Sequence, residues 1–373
     1  MPFDPTHLAA PPVRTLAPYV PGKPIEELER EYGVSDIIKL ASNENPLGPG
    51  PRALAAITAA AREIGLYPDG GGFALKQALA RRYGHDPDGI TLGNGSNDVL
   101  VMLAEAFLTP DTEAVYSQYG FAVYPIAVQA TGAKARVAPA LPDNHPMALG
   151  HDLDAMAKLV NQHTRLVLIA NPNNPTGTWV EADALKSFIA ALPSSTLVVV
   201  DEAYIEYVED RDFPDTSRWL GEFPNLVVTR TFSKAFGLAG LRVGYALSQP
   251  AVAGMLNRVR QAFNVNSIAL AAACGALEDD EHLQRSIAVN REGMQQIGAG
   301  LDRLGVRHFP SRGNFILIDC AKPAGAVYET MLRQGVIVRP VGNYQLPNHL
   351  RLTVGTQAQN QRMLSALKLA LQS

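Results

Sequence analysis

The sequence predicts an α/β protein: a large domain built on a mostly parallel, doubly wound sheet, with a smaller α+β domain after it. Three observations predict this. Across residues 114–247, short apolar runs alternate with helical stretches, the order that builds βα units. Those runs are continuous in Val, Leu and Ile rather than broken by polar residues, which marks strands covered on both faces. Beyond residue 268 the alternation gives way to a long helical region and then to short strands with helices between and after them.

Taken in order, residues 1–35 are proline-rich and then helical, with Ile25-Glu26-Glu27-Leu28-Glu29 opening an amphipathic piece after Pro24. Residues 1–40 read as an arm packing with the small domain. Ile37-Ile38-Lys39-Leu40 is a short strand, and Ser42-Asn43-Glu44-Asn45-Pro46-Leu47-Gly48-Pro49 a turn-rich loop. Residues 51–64 form a helix with proline in its first turn. Tyr67-Pro68-Asp69-Gly70-Gly71-Gly72 is another loop, and residues 73–83 another helix. Residues 90–92 are a strand and Gly93-Asn94-Gly95-Ser96-Asn97 a tight turn. The helix over 98–108 then puts Leu100, Leu103 and Phe107 on one face. That turn is either an anion site, from free N–H groups at a helix start, or a plain strand–helix connection. No G-x-G-x-x-G occurs, which weighs against a dinucleotide fold.

The buried strands are 114–116, 134–137, 166–170, 197–200, 226–229 and 243–246. Ligands of such sheets sit outside the carboxyl ends of the strands. Three polar clusters fall there: Asn171 to Gly177, then Asp201-Glu202-Ala203-Tyr204, then Thr231-Phe232-Ser233-Lys234. A helix over 251–263 leaves the large domain (residues 41–262). In the small domain (263–373), residues 268–304 are helical with a break near 278–281. Strand 315–318, helix 324–334 ended by Gly335, strands 336–338 and 350–354, and a closing helix over 360–371 follow. In the last strand Leu350, Leu352 and Val354 face one way and Arg351 and Thr353 the other.

With 373 residues, 47% of them apolar, the chain can bury two cores. A net charge of −4 with scattered basic residues argues against nucleic acid or an anionic membrane as partner. Cys274 and Cys320 lack metal-ligand spacing and fit a reducing compartment. The proline-broken start does not read as a secretory signal, and the apolar run 268–277 is too short to span a bilayer. The expected location is the cytoplasm, and no metal is expected.

Lys234 sits among phenylalanines, with Thr231 and Ser233 before it and Arg242 eight positions on. Apolar surroundings and a nearby cation lower an amine's pKa toward the nucleophilic form, and hydroxyls with a guanidinium suit a phosphate. Together they read as a Schiff-base lysine beside the phosphate of pyridoxal 5'-phosphate (PLP). The other parts of such a site have candidates. Asp201 is either the partner of a pyridine nitrogen or an acid leaving the sheet at its rim. Tyr204 and Asn174 are candidate donors for the phenolate oxygen, Asn174 being otherwise a turn residue, and Tyr119 is either a ring to stack on the pyridine or an ordinary packing aromatic. Arg351, if buried, needs an anion: a substrate carboxylate or phosphate, or an interdomain salt bridge. Arg339 is a second cation for the same role.

With these residues assembled, the chain resembles the fold type I PLP enzymes of the aspartate aminotransferase class, and within them the histidinol-phosphate aminotransferases. The motifs carrying the likeness are Asn43-Glu44-Asn45-Pro46, Tyr67-Pro68-Asp69-Gly70, Asn171 to Gly177, Asp201 to Tyr204, Thr231 to Leu238 with Leu241-Arg242-Val243-Gly244, and Leu350 to Gly355. The resemblance implies that Lys234 carries the cofactor and shuttles the proton, that Asp201 faces the pyridine nitrogen, and that Tyr204 and Asn174 bind the phenolate oxygen. It implies Tyr119 on the ring, and Thr231, Ser233, Arg242 and Gly95-Ser96-Asn97 on the phosphate. Tyr67 would reach the neighbouring site of a homodimer, and Arg351, Arg339 and Tyr19 would hold the substrate's anionic end. The implied reaction moves an amino group from histidinol phosphate to 2-oxoglutarate in histidine biosynthesis. An aromatic amino-acid aminotransferase and a phospho-amino-acid decarboxylase share the scaffold. A PLP-binding transcriptional regulator would need a basic recognition helix that the arm lacks.

Overall fold

The computed structural model describes residues 3–210 and 212–372. Its strands are β1 (Ile38–Lys39), β2 (Ile90–Gly93), β3 (Glu113–Ser117), β4 (Lys134–Ala138), β5 (Thr164–Ala170), β6 (Leu197–Asp201), β7 (Leu226–Thr231) and β8 (Gly244–Leu247), then β9 (Arg307–His308), β10 (Phe315–Asp319), β11 (Val336–Ile337), β12 (Arg339–Pro340) and β13 (His349–Thr353). The central sheet has the order β2-β8-β7-β6-β5-β3-β4. Only β8 pairs antiparallel with both its neighbours. The others run parallel, as continuous apolar runs demand. Both faces are covered, by one core around Val167, Val198, Val200 and Val228 and another around Leu168, Val199 and Val227.

A four-stranded sheet, β12-β13-β10-β9, and the short parallel pair β1 with β11 build around a third core, with Ile316, Ile318, Leu350 and Leu352 at its centre. Leu40, just past β1, packs into it. The strand expected over 336–338 shortens to Val336–Ile337, which pairs with β1, and Arg339–Pro340 beyond it joins β13.

Two expectations about the outer parts change. The helix Ser267–Leu277 packs on the helix Pro51–Ala60 and sits in the large core rather than the small one. Its alanines and Gly275 permit this approach; a Cβ on Gly275 would lie 2.8 Å from the Arg52 carbonyl oxygen. The helix break falls as expected, and Asp280–Leu304 then spans both cores, Leu283 in the large one and Ile297 and Leu301 in the small. The arm also divides. Gln129 donates to the Pro12 carbonyl (3.1 Å) on the large side, whereas the helix Ile25–Tyr32 packs on the helix Ala324–Arg333 of the small side.

Behind the end of β6 lies a buried ion pair. Arg230 donates to Glu202 (2.6 and 2.9 Å) and to Asp215 (2.6 Å), and Thr216 donates to Glu202 from both N–H and hydroxyl. Both charges are deeply buried, and the hydrogen bonds on every side are what make that tolerable. Among the described residues no helix is long and apolar enough to cross a membrane, and no cluster of His, Cys, Asp and Glu could hold a metal ion.

Candidate active site

The carboxyl ends of β5, β6 and β7 open into one cavity of about 860 Å³ including its mouth, closed on the far side by residues 41–43 and by Arg351 of β13. Asp201, Tyr204, Asn174, Thr231, Ser233, Lys234, Arg242, Arg339, Arg351, Ser96, Asn97 and Tyr19 all line it. Residues distant in sequence are thus brought together as their motifs imply.

Lys234 follows β7 on a turn and its Nζ donates to the Ser42 carbonyl (3.0 Å). Burial, reinforced by the nearby Arg351 guanidinium and opposed by Glu44, brings its pKa down to about 7. Asp201 closes β6 and accepts from Thr229 Oγ1 (3.0 Å) and Tyr124 Oη (3.4 Å). Burial pushes its pKa up to about 6 against those two hydrogen bonds. Tyr204 is buried against the edge of Phe315, with ring centroids 5.3 Å apart, and accepts from Asn43 Nδ2 (2.9 Å). Burial raises its phenol to about 12.

At one end of the cavity, Thr231 Oγ1 donates to Ser233 Oγ (3.0 Å), which also accepts from Arg242 (3.3 Å). The helix Ser96–Phe107 starts here, with no side chain capping its N–H groups. Gly95 does not line the cavity but backs it: its φ is +85°, and a Cβ there would lie 2.4 Å from Arg242 Nη2. Gly244 likewise leaves room for the Ser96 N–H, 2.4 Å from where its Cβ would be. Hydroxyls, a guanidinium and free N–H groups give this end the donors that an anion needs.

At the other end, Arg351 is 7% exposed and donates to the Asn174 side-chain oxygen and to the Ala41 carbonyl (2.7 Å), with Nε unpartnered. Both acceptors are neutral, so the alternative of an interdomain salt bridge is not what holds it. Burial lowers its pKa. Arg339 lies over the Tyr19 ring at 5.8 Å and donates to the Val20 carbonyl (2.7 Å), both side chains at the mouth.

Two residues named from the sequence do not line this cavity: Tyr119, expected here, and Tyr67, expected at a neighbouring subunit's site. Tyr119 packs beside Phe309 and Leu346, and its carbonyl accepts from Asn173 (2.9 Å). Phe121, two positions on, lines the cavity instead. Tyr67 is 84% exposed, stacked on Phe263 at 4.7 Å and outside this cavity. Sequence reading also missed Asn43, Thr229 and Tyr124. Thr229 could have been found, since it pairs with Asp201 across the β6–β7 register.

Residues 35–367 match the family model for aminotransferase class I and II. The chain belongs to that family. A protein of Pseudomonas fluorescens named histidinol-phosphate aminotransferase 2 is 57% identical over 362 residues, 96% of each chain. One of Methylobacillus flagellatus named histidinol-phosphate aminotransferase is 52% identical over 97% of this chain and 96% of its own. The crystal structure of histidinol-phosphate aminotransferase from Sinorhizobium meliloti, in complex with pyridoxal-5'-phosphate, superposes with a TM-score of 0.88 at 31% identity, covering 98% of this chain and 97% of that one. An aspartate aminotransferase of Thermus thermophilus shares the fold at 22% identity (TM-score 0.83, 97% and 98% covered). The fold is type I, as the motif order implies.

Proposed function

We propose that this aminotransferase uses PLP to move an amino group between histidinol phosphate and 2-oxoglutarate in histidine biosynthesis. The observation that carries the reading is Arg351, a buried cation facing the cavity with only neutral partners, in a chain more than half identical to proteins of that name.

The residues fit the cofactor. The cradle of Thr231, Ser233, Arg242 and the helix start suits its phosphate, Asp201 its ring nitrogen, and Tyr204 with the Asn174 amide its phenolate oxygen. Phe121, in place of Tyr119, would lie on the ring. When bound, PLP supplies an electron sink for a substrate carbanion. Lys234 is the residue to hold the cofactor and, once released, to take the proton from the substrate Cα and return it on the cofactor side. Asp201 as carboxylate keeps the ring nitrogen protonated. Arg351, with Arg339 and Tyr19 at the mouth, orients the anionic end of the substrate.

We further propose that the large core, with the helix Ser267–Leu277 included, and the part of the chain after that helix act as two domains bridged by the arm, and that the enzyme is a cytoplasmic homodimer. The exposed apolar face of Ile64, Leu66, Tyr67, Phe73 and Phe263 supports pairing with a second copy, with Tyr67 reaching the neighbouring cavity.

A coupled assay with 2-oxoglutarate and a panel of amino donors tests the substrate. Histidinol phosphate is expected to give the highest kcat/KM; a higher value with phenylalanine overturns that assignment. Arg351→Ala is expected to raise KM for the phosphorylated donor, lowering kcat/KM roughly 10- to 100-fold while cofactor stays bound. Since the neutral amine is the nucleophile, the rate at which the cofactor-free chain captures PLP should rise with pH through about 7 and level off above. Stopped-flow absorbance measures this, and in Arg351→Ala the profile should move to higher pH.

A further inference from the structure

Asn43 is buried, lines the cavity and has φ +56°. Asparagine adopts that region more readily than most residues, but a turn alone does not require burying its side chain. Every polar group of this residue is engaged. Its N–H donates to Thr353 Oγ1 (3.1 Å), and its carbonyl accepts from Asn314 Nδ2 (3.1 Å). Its Oδ1 accepts from Thr353 Oγ1 (3.0 Å), and its Nδ2 donates to Tyr204 Oη (2.9 Å). Thr353 lies two residues beyond Arg351 on β13 and on the same face.

We infer that Asn43 is a positioning residue for Tyr204, fixing the phenol so that its proton points into the cavity. Thr353 decides which way the Asn43 amide faces. Its hydroxyl accepts from the Asn43 N–H and has one proton to give, which goes to Oδ1. The reversed amide would set two donors on that hydroxyl and leave its own proton without the acceptor it now has. Nδ2 therefore faces Tyr204, and a phenol oxygen receiving an N–H must direct its O–H elsewhere. An oxygen that accepts one hydrogen bond also donates a stronger one. The charged and ionisable groups around Tyr204 are Arg351, Asp201, Tyr124, Tyr207 and Tyr344, with Lys234 Nζ 5.9 Å from the ring centre. None of these takes the O–H in a hydrogen bond. The same contacts tie the strand of Arg351 to the residue that faces the cofactor oxygen.

This inference rests on the cofactor reading above, because the acceptor of the phenol proton is the PLP phenolate oxygen. The test is a pH titration of the visible absorbance of the PLP-loaded protein. A donor to the phenolate stabilises the charged form, so weakening it moves the midpoint up. Asn43→Gly, which suits the positive φ, is expected to raise the midpoint by about half to one pH unit. Asn43→Ala, also neutral, should shift it in the same direction and stands in should glycine loosen the loop. In a Tyr204→Phe background neither substitution should shift it further. An unchanged midpoint in both variants, or a shift that persists without the Tyr204 hydroxyl, overturns the inference while the cofactor reading stands. A parent protein with no visible band after PLP loading overturns the cofactor reading and this inference with it.

Discussion

Replacing Lys234 with alanine is expected to abolish the Schiff-base absorbance of the PLP-loaded protein and to lower transamination by about 10⁴-fold. The substitution removes the nucleophile and the proton carrier at once, and among the described residues no other lysine lines the cavity. The anchors for phosphate and ring nitrogen stay in place, so the variant should still bind cofactor, but without a covalent link. Borohydride treatment followed by mass spectrometry separates the cases: the parent gains the reduced cofactor and the variant does not. A variant retaining both absorbance and activity would mean that another lysine carries the cofactor. The Ser42 carbonyl loses one hydrogen bond in the variant, a small effect beside the chemical one.

The second large effect is expected at Asp201. Asp201→Asn keeps the shape and the hydrogen bond from Thr229, but an amide cannot balance a protonated ring nitrogen. The expected result is a fall in kcat of roughly 10²- to 10³-fold, the scale seen when a preorganised electrostatic partner is removed. The fold should not suffer. Burial already disfavours the carboxylate, holding its pKa up at about 6, and a neutral amide avoids that desolvation. Single-turnover kinetics and a melting curve check the two halves of this statement. A kcat within tenfold of the parent would show that the ring nitrogen has another partner.

The strands of the central sheet were legible because burial on both faces leaves an unbroken apolar signature. The loops at their carboxyl ends were legible because Asp201, Asn174 and Lys234 interrupt that signature at one edge. Other features depend on tertiary context. The helix Ser267–Leu277 is apolar nearly all round, so no single face announces its partner, and only the structure shows it against Pro51–Ala60. Tyr119 and Phe121 stand two apart before the helix Val123–Ala130, and the turn leading into that helix decides which ring enters the cavity. Asn43 sits in a loop rich in turn-forming residues, where its side chain reads as local chemistry. Its real partners lie on β13 and beyond β6, more than a hundred residues away.

The alternation at the end of β6 carries a further consequence, for which changes this sheet can absorb. Leu197-Val198-Val199-Val200 is apolar at every position, so burial would accept the strand one residue out of step with β7. Asp201 against Thr229 on one face and Glu202 against Arg230 on the other forbid that slip, because a shift of one exchanges the faces of every side chain. The buried ion pair thereby acts as a registration pin beneath the catalytic floor. A single residue inserted into or deleted from β6 would therefore turn the floor inside out.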